Sequence, residues 1–270
     1  MTTIISIGNR DYKEAVDFAE VIDFHAHIGP WLRLFINDPW EDHLIKIMDL
    51  LGINRICISS LAAVGADAVL GNDITYRAMQ KYPERIIGFA VIDPRRPREA
   101  GAELGRCIKC LGMKGVKIHP SFYEYPVDGQ GYLPAFAYAE DHGLPLLIHT
   151  DYSSPFANPL KAIEVSLGFP ALDVVLAHAG LVEEGFRVTL EAARDLPRIH
   201  LDFTSRHRLF GLVERFVAEV GASRVIFATD MPYHDPRSAL GRVVFADLDD
   251  GDKANILGLN ALRLLNHYKS

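Results

Sequence analysis

Short apolar runs recur along the chain at near-even intervals, each followed by a stretch whose apolar residues return every three or four positions. The runs begin near Val21, Arg55, Ile86, Gly115, Pro145, Asp173, Ile199 and Arg224, 25 to 34 residues apart. That interval is the length of one strand, one helix and two loops. Segments such as Pro145-Leu-Leu-Ile-His-Thr150 and Asp173-Val-Val-Leu-Ala-His-Ala-Gly180 are continuously apolar, as parallel strands covered on both faces are. Eight such units in order predict an α/β protein with one closed (β/α)8 barrel. A doubly wound open sheet competes, but its glycine fingerprint after the first strand is missing, and that strand ends in histidines.

Even spacing leaves no room for an inserted domain, so all 270 residues read as a single domain with the barrel core at about 21–248. A short N-terminal extension, residues 1–20, is expected to cover the barrel bottom. An extra amphipathic C-terminal helix over 252–265 is expected to dock on the outside.

Composition narrows the partners. The formal net charge is -7, with both signs interleaved and no basic stripe to neutralise phosphates, so nucleic acid is excluded as a partner. No apolar run reaches membrane-spanning length, and the first residues meet charge too soon for a secretion signal; the expectation is a cytoplasmic protein without a membrane partner. Three cysteines are too few for a disulfide framework. Cys107 and Cys110 spell C-x-x-C, but without a second ligand pair they read as the end of a helix. A homodimer is expected only as the commonest assembly.

The candidate chemistry sits at strand ends. In Val21-Ile-Asp-Phe-His-Ala-His-Ile-Gly-Pro30, His25 and His27 are two apart and so share a face, with Ile22, Phe24 and Ala26 expected on the other, toward the helices. The histidines then point into the barrel at the C-terminal end of the strand, where barrel enzymes keep their sites. Strand five ends in His149, strand six in His178 and strand eight in Asp230. Each alone is an ordinary core histidine or turn aspartate. Together they predict a divalent metal among His25, His27, His149, His178 and Asp230.

Strand four adds Lys117 and His119, again two apart and inward. A buried lysine suits a substrate carboxylate; the alternatives are a carbamate bridging two metals and a plain ion pair with Asp230. Just beyond the strand ends, Trp31, Arg33, Arg95, Tyr152, Arg206 and His207 are candidate contacts to a small-molecule substrate, the arginines matching a carboxylate unless solvent holds them. No chemistry is assigned to His43, His142, His200, His234 or His267, although His234 follows Asp230 closely.

The ordered set D-F-H-A-H, G-V-K-I-H-P, L-L-I-H, V-L-A-H-A-G, F-A-T-D-M-P and I-L-G-L-N-A-L-R-L-L resembles the amidohydrolase superfamily, in particular its amidohydrolase-related (amidohydrolase 2) branch, over residues 21–266. The resemblance implies a TIM barrel with His25, His27, His149 and Asp230 as metal ligands. It implies that His178 orients or polarises the reacting group and that Asp230 accepts a proton from a metal-activated water. Zinc is the expected metal, with manganese, iron, cobalt and nickel as alternatives. The implied reaction is hydrolysis of an amide, ester or lactone carbonyl. The same branch holds metal-dependent non-oxidative decarboxylases and hydratases of aromatic or unsaturated acids. The short chain and the brief loop from Pro30 to Trp40 tilt the expectation toward hydrolysis. A barrel kept only for binding is the third reading, against which stand five intact ligand-type positions.

Overall fold

The computed structural model describes residues 6–7, 10–11, 20–31, 35–204 and 209–267. Eight parallel strands follow one another in chain order: β1 (Ile22–Ile28), β2 (Arg55–Ser60), β3 (Ile86–Val91), β4 (Gly115–Ile118), β5 (Leu146–His149), β6 (Val174–Ala177), β7 (Ile199–Asp202) and β8 (Val225–Ile226). Each is paired with its neighbours in sequence. Backbone bonds from Phe24 N to Phe227 O (3.1 Å), Asp230 N to His25 O (2.8 Å) and His27 N to Met231 O (2.7 Å) join the last strand segment to the first. The sheet is thereby a (β/α)8 barrel with helices between its strands, as the repeat interval predicts.

Local chemistry sets the helices. Over Glu41–Leu51 the residues Leu44, Ile45, Met48 and Leu51 are buried, Glu41 and Asp42 occupy the positive first turn, and Gly52 ends the helix at φ 69°. Asp67 caps Ala68–Lys81 by accepting from Leu70 N at 3.0 Å. Cys107 and Cys110 lie in the turn Arg106–Cys110 that finishes Pro97–Gly105, the helix end read from sequence.

The apolar residues divide into two layers. Ile56, Ile58, Val116, Ile118, Leu146 and Val174 belong to the large cluster under the helices. Cys57, Phe89, Leu147, Val175 and Ile226 form a separate cluster inside the barrel. Ile22 and Phe24 belong to that inner cluster, not to the helix-facing one expected for them. The reason is a register shift between Asp23 and Ala26: Asp23 pairs with Ile56 and Ala26 with Ile58, so three steps on β1 match two on β2. Below the bulge Phe24 points inward; above it His27 does, and Ala26 faces the helices.

The C-terminal helix also differs from expectation. Ala261, Leu264 and Leu265 pack against the inner cluster. Asn260 Nδ2 donates to Ala222 O (2.8 Å) and Val225 O (2.9 Å), at the start of β8. A Cβ on Gly258 would lie 1.7 Å from Glu20 O, just before β1. The helix over Asn260–Leu265 therefore closes the bottom of the barrel rather than lying on its flank. The expected cover by residues 1–20 falls almost wholly outside the described residues, within which Ser6–Ile7 pairs antiparallel with Arg10–Asp11. Among the described residues, no helix is long and apolar enough to cross a membrane.

Candidate metal centre

At the C-terminal end of β1, His25 and His27 are 1% and 2% exposed. His25 Nδ1 donates to Asp202 Oδ2 at 2.9 Å, and His27 Nδ1 donates to Ser59 O at 3.2 Å. With both Nδ1 protons held, each Nε2 presents a lone pair, a common way of fixing imidazole ligands. Those two nitrogens meet Asp230 Oδ1 at 3.6 and 3.3 Å. His25, His27 and Asp230 form a group whose ligand atoms lie within 4.8 Å of one another. Two imidazole nitrogens and a carboxylate facing one another are able to hold a cation among them, and three protein ligands with an open position is the donor set of a catalytic divalent site.

Protonation agrees. Burial, aided by Lys117, holds His25 well below the ordinary imidazole value, and burial lowers His27 against the pull of Asp230. Burial alone would raise the Asp230 carboxyl; His27, His25 and His178 outweigh it and bring it below the usual carboxylate range. Asp230 sits at φ 59°, a left-handed conformation that aspartate tolerates better than most residues. Beneath, burial pushes Asp23 up to about 7, although it accepts bonds from Thr229 N (3.0 Å), the Thr229 hydroxyl and His25 N (3.2 Å). Asp23 thus ties β1 to the segment that carries Asp230.

His149 and His178 face each other. His178 Nε2 lies 3.1 Å from His149 Nδ1, and His178 Nδ1 donates to Thr204 O at 2.7 Å. The His178 ring centroid is 5.2 Å from that of His25, so both histidines adjoin the trio. Burial and the neighbouring His178 hold His149 well below the ordinary value. Lys117, fully buried, donates from Nζ to His25 Nε2 at 2.9 Å, and burial lowers its ammonium to about 8, opposed by Asp230 and Asp202. It sits against a candidate ligand rather than in an ion pair with Asp230. His119 stacks between Phe122 and His149, both at 3.8 Å, and its Nδ1 accepts from Phe122 N at 3.3 Å. Trp31 stacks on Phe122 at 5.2 Å.

Arg95 is held bidentately by Asp93, both bonds 2.8 Å, and lies over the Tyr123 ring. Arg33, Arg206 and His207 lie outside the described residues. On the loop after β5, Tyr152 donates its N–H to Gly180 O at 3.0 Å.

Sequence reading passed over Asp202, which ends β7 in Ile199-His-Leu-Asp202. Its Oδ2 takes His25 Nδ1; its Oδ1 takes His178 N (2.8 Å), Thr204 N (2.9 Å) and the Thr204 hydroxyl. The rule that found His149 and His178, a ligand-type side chain closing a strand, applies equally to Asp202. It also passed over Tyr233, edge-on to His27 at 5.6 Å, and assigned nothing to His234, whose Nε2 is 3.6 Å from Asp230 Oδ2.

A family model described as Amidohydrolase (Amidohydro_2) matches residues 22–266, and the chain belongs to that family of enzymes. A γ-resorcylate decarboxylase from Rhizobium sp. (strain MTP-10005) is 23% identical over 291 residues, covering 83% of this chain and 86% of the relative. Among solved structures, a dihydroxybenzoic acid decarboxylase from Polaromonas sp. JS666, with bound manganese and the inhibitor 2-nitroresorcinol, superposes with TM-score 0.75 at 19% identity, over 93% of this chain and 98% of that one. The 5-carboxyvanillate decarboxylase from Sphingomonas paucimobilis gives TM-score 0.73 at 16% identity, over 92% and 99%. The fold is common to this chain and those two structures.

Proposed function

We infer that this protein is a metal-dependent, non-oxidative decarboxylase of a hydroxylated aromatic carboxylic acid. The observation that carries the reading is a decarboxylase relative matched over 83% of the chain, together with the buried trio His25, His27 and Asp230, whose ligand atoms lie within 4.8 Å of one another. Decarboxylation therefore takes precedence over the hydrolysis favoured by chain length and the short first loop, neither of which touches the reacting groups.

His25, His27 and Asp230 would hold the ion, with His149 and His178 beside it. A bound divalent ion supplies Lewis acidity that neutralises substrate charge. Manganese, present in the Polaromonas relative, is as well matched to this mixed nitrogen and oxygen set as zinc. In the reaction an aryl carboxylate and a proton become an arene and carbon dioxide. The electrons of the broken C–C bond stay on the ring carbon, which must then take the proton. Asp230 and His178 would deliver it, Asp230 only after taking up a proton itself, since its resting carboxylate is ionised. Half-exposed His234, 3.6 Å from Asp230 Oδ2, offers a path for its replacement from water. Lys117, beside His25, would supply a positive charge for binding the substrate carboxylate.

The test is incubation of the manganese- or zinc-loaded protein with 2,6-dihydroxybenzoate and, separately, with aryl esters and lactones. Carbon dioxide with one equivalent of arene is the expected result. Acid release from esters or lactones, with the benzoate untouched, would return the hydrolase reading.

A further inference from the structure

The aromatic rings at the mouth form a closed circuit. Trp31 stacks on Phe122 (5.2 Å), Phe122 on His119 (3.8 Å), and His119 on His149 (3.8 Å). His149 then meets His178 (4.9 Å), His178 meets His25 (5.2 Å), and His25 meets His27 (5.3 Å). Tyr233 closes the loop, edge-on to His27 at 5.6 Å and to Trp31 at 4.7 Å.

Seven of these eight rings are accounted for as candidate ligands, their neighbours or apolar walls. Tyr233 stands apart. Its hydroxyl is buried and, among the described residues, has no hydrogen-bond partner. Nearly every buried hydroxyl in a folded protein is paired, and one left over beside a reaction site is open to a bound water, ion or ligand. The residue is fixed by its backbone, Tyr233 N donating to Asp230 O at 3.0 Å, so the phenol is carried on the same turn as the candidate ligand Asp230. Burial raises the phenol far above its ordinary value, so at neutral pH it is an intact O–H, able both to donate and to accept.

We propose that Tyr233 is a specificity-determining residue whose hydroxyl hydrogen-bonds a ring hydroxyl of the aromatic acid. The inference rests on the decarboxylase reading for its substrate class. It adds which chain atom distinguishes a hydroxylated ring from a bare one. A site that hydrogen-bonds a substrate hydroxyl rejects the analogue lacking it, because its own polar group is then left unpaired.

The experiment measures binding of 2,6-dihydroxybenzoate, 2-hydroxybenzoate and benzoate to the manganese-loaded wild type and to Tyr233→Phe by calorimetry, with carbon dioxide release followed in parallel. In Tyr233→Phe the preference for 2,6-dihydroxybenzoate over benzoate should fall at least fivefold. The melting temperature should stay level or rise, since the change removes a buried unpaired hydroxyl. An unchanged preference, or a wild type that binds none of the three, overturns the proposal. Binding that discriminates as expected with no carbon dioxide released would overturn the decarboxylase reading and leave the Tyr233 assignment standing.

Discussion

Asp202 shows how one buried carboxylate can organise a site without touching its reacting atoms. It holds His25 through Nδ1, and through its other oxygen the backbone of His178. Such outer partners fix the tautomer of an imidazole ligand and raise its basicity; losing one commonly lowers metal affinity about 10- to 100-fold. Asp202→Asn should weaken manganese binding by about that factor, measured by competition with a chelator. The protein should stay folded, because Asn keeps an oxygen for His178 N and Thr204 N. An affinity unchanged within twofold would remove Asp202 from the metal site's support. Lys117 belongs to the same scale: full burial of an ammonium is unfavourable unless paired, and its contact with His25 Nε2 gives it a partner inside the mouth.

Among the elements, the bulged first strand and the terminal helix matter most. The bulge lets neighbouring residues on β1 serve two inward layers, Phe24 for the apolar floor and His25 and His27 for the chemistry above it. The terminal helix seals that floor from below. Leu264 is 1% exposed against it, so Leu264→Ala should cost about 3 kcal/mol, as large-to-small changes in closed cores do. Gly258→Ala should also destabilise, since its Cβ would overlap Glu20 O, a backbone atom that cannot yield without moving β1. Urea unfolding checks both. A loss below about 0.5 kcal/mol for Leu264→Ala would mean that the helix does not seal the floor.

For the whole molecule, the buried imidazoles govern acid stability. His25, His27, His119, His149 and His200 are all held below 6.5 chiefly by burial. The folded state keeps them neutral while the unfolded chain protonates them near 6.5, so the unfolded state binds more protons and stability falls as pH drops through that value. Asp23, raised to about 7, works the other way, because the folded state is the one that takes its proton; five imidazoles outnumber it. The metal-free protein should therefore melt at progressively lower temperature from pH 6.5 to pH 5, losing about 1.4 kcal/mol per pH unit for each net proton. A melting temperature that is flat or rises over that range would show the imidazoles to be charged in the fold. Ligand linkage gives a companion test at pH 7.5. Manganese at a hundred times its Kd should stabilise the protein by about 2.7 kcal/mol, and the shift should vanish in His25→Ala.

Much of this was legible in the sequence. The eight strand starts lie within a residue of those observed, because a parallel barrel repeats its hydrophobic period regardless of loop detail. His25, His27 and Asp230 were legible as well, since a strand's pleat and a shared barrel end fix where such side chains converge. What the chain could not display was pairing between distant segments. The bulge exists only relative to β2, and the direction of Phe24 depends on it. The helix over Asn260–Leu265 carries the same amphipathic pattern whether it lies on a flank or under a floor; its contacts with the starts of β1 and β8 decide which. Asp202 and Tyr233 acquire their meaning from a partner 177 residues away in the first case and, among the described residues, from the absence of one in the second. Local periodicity is written in neighbouring residues, whereas hydrogen-bond satisfaction is a property of the closed barrel.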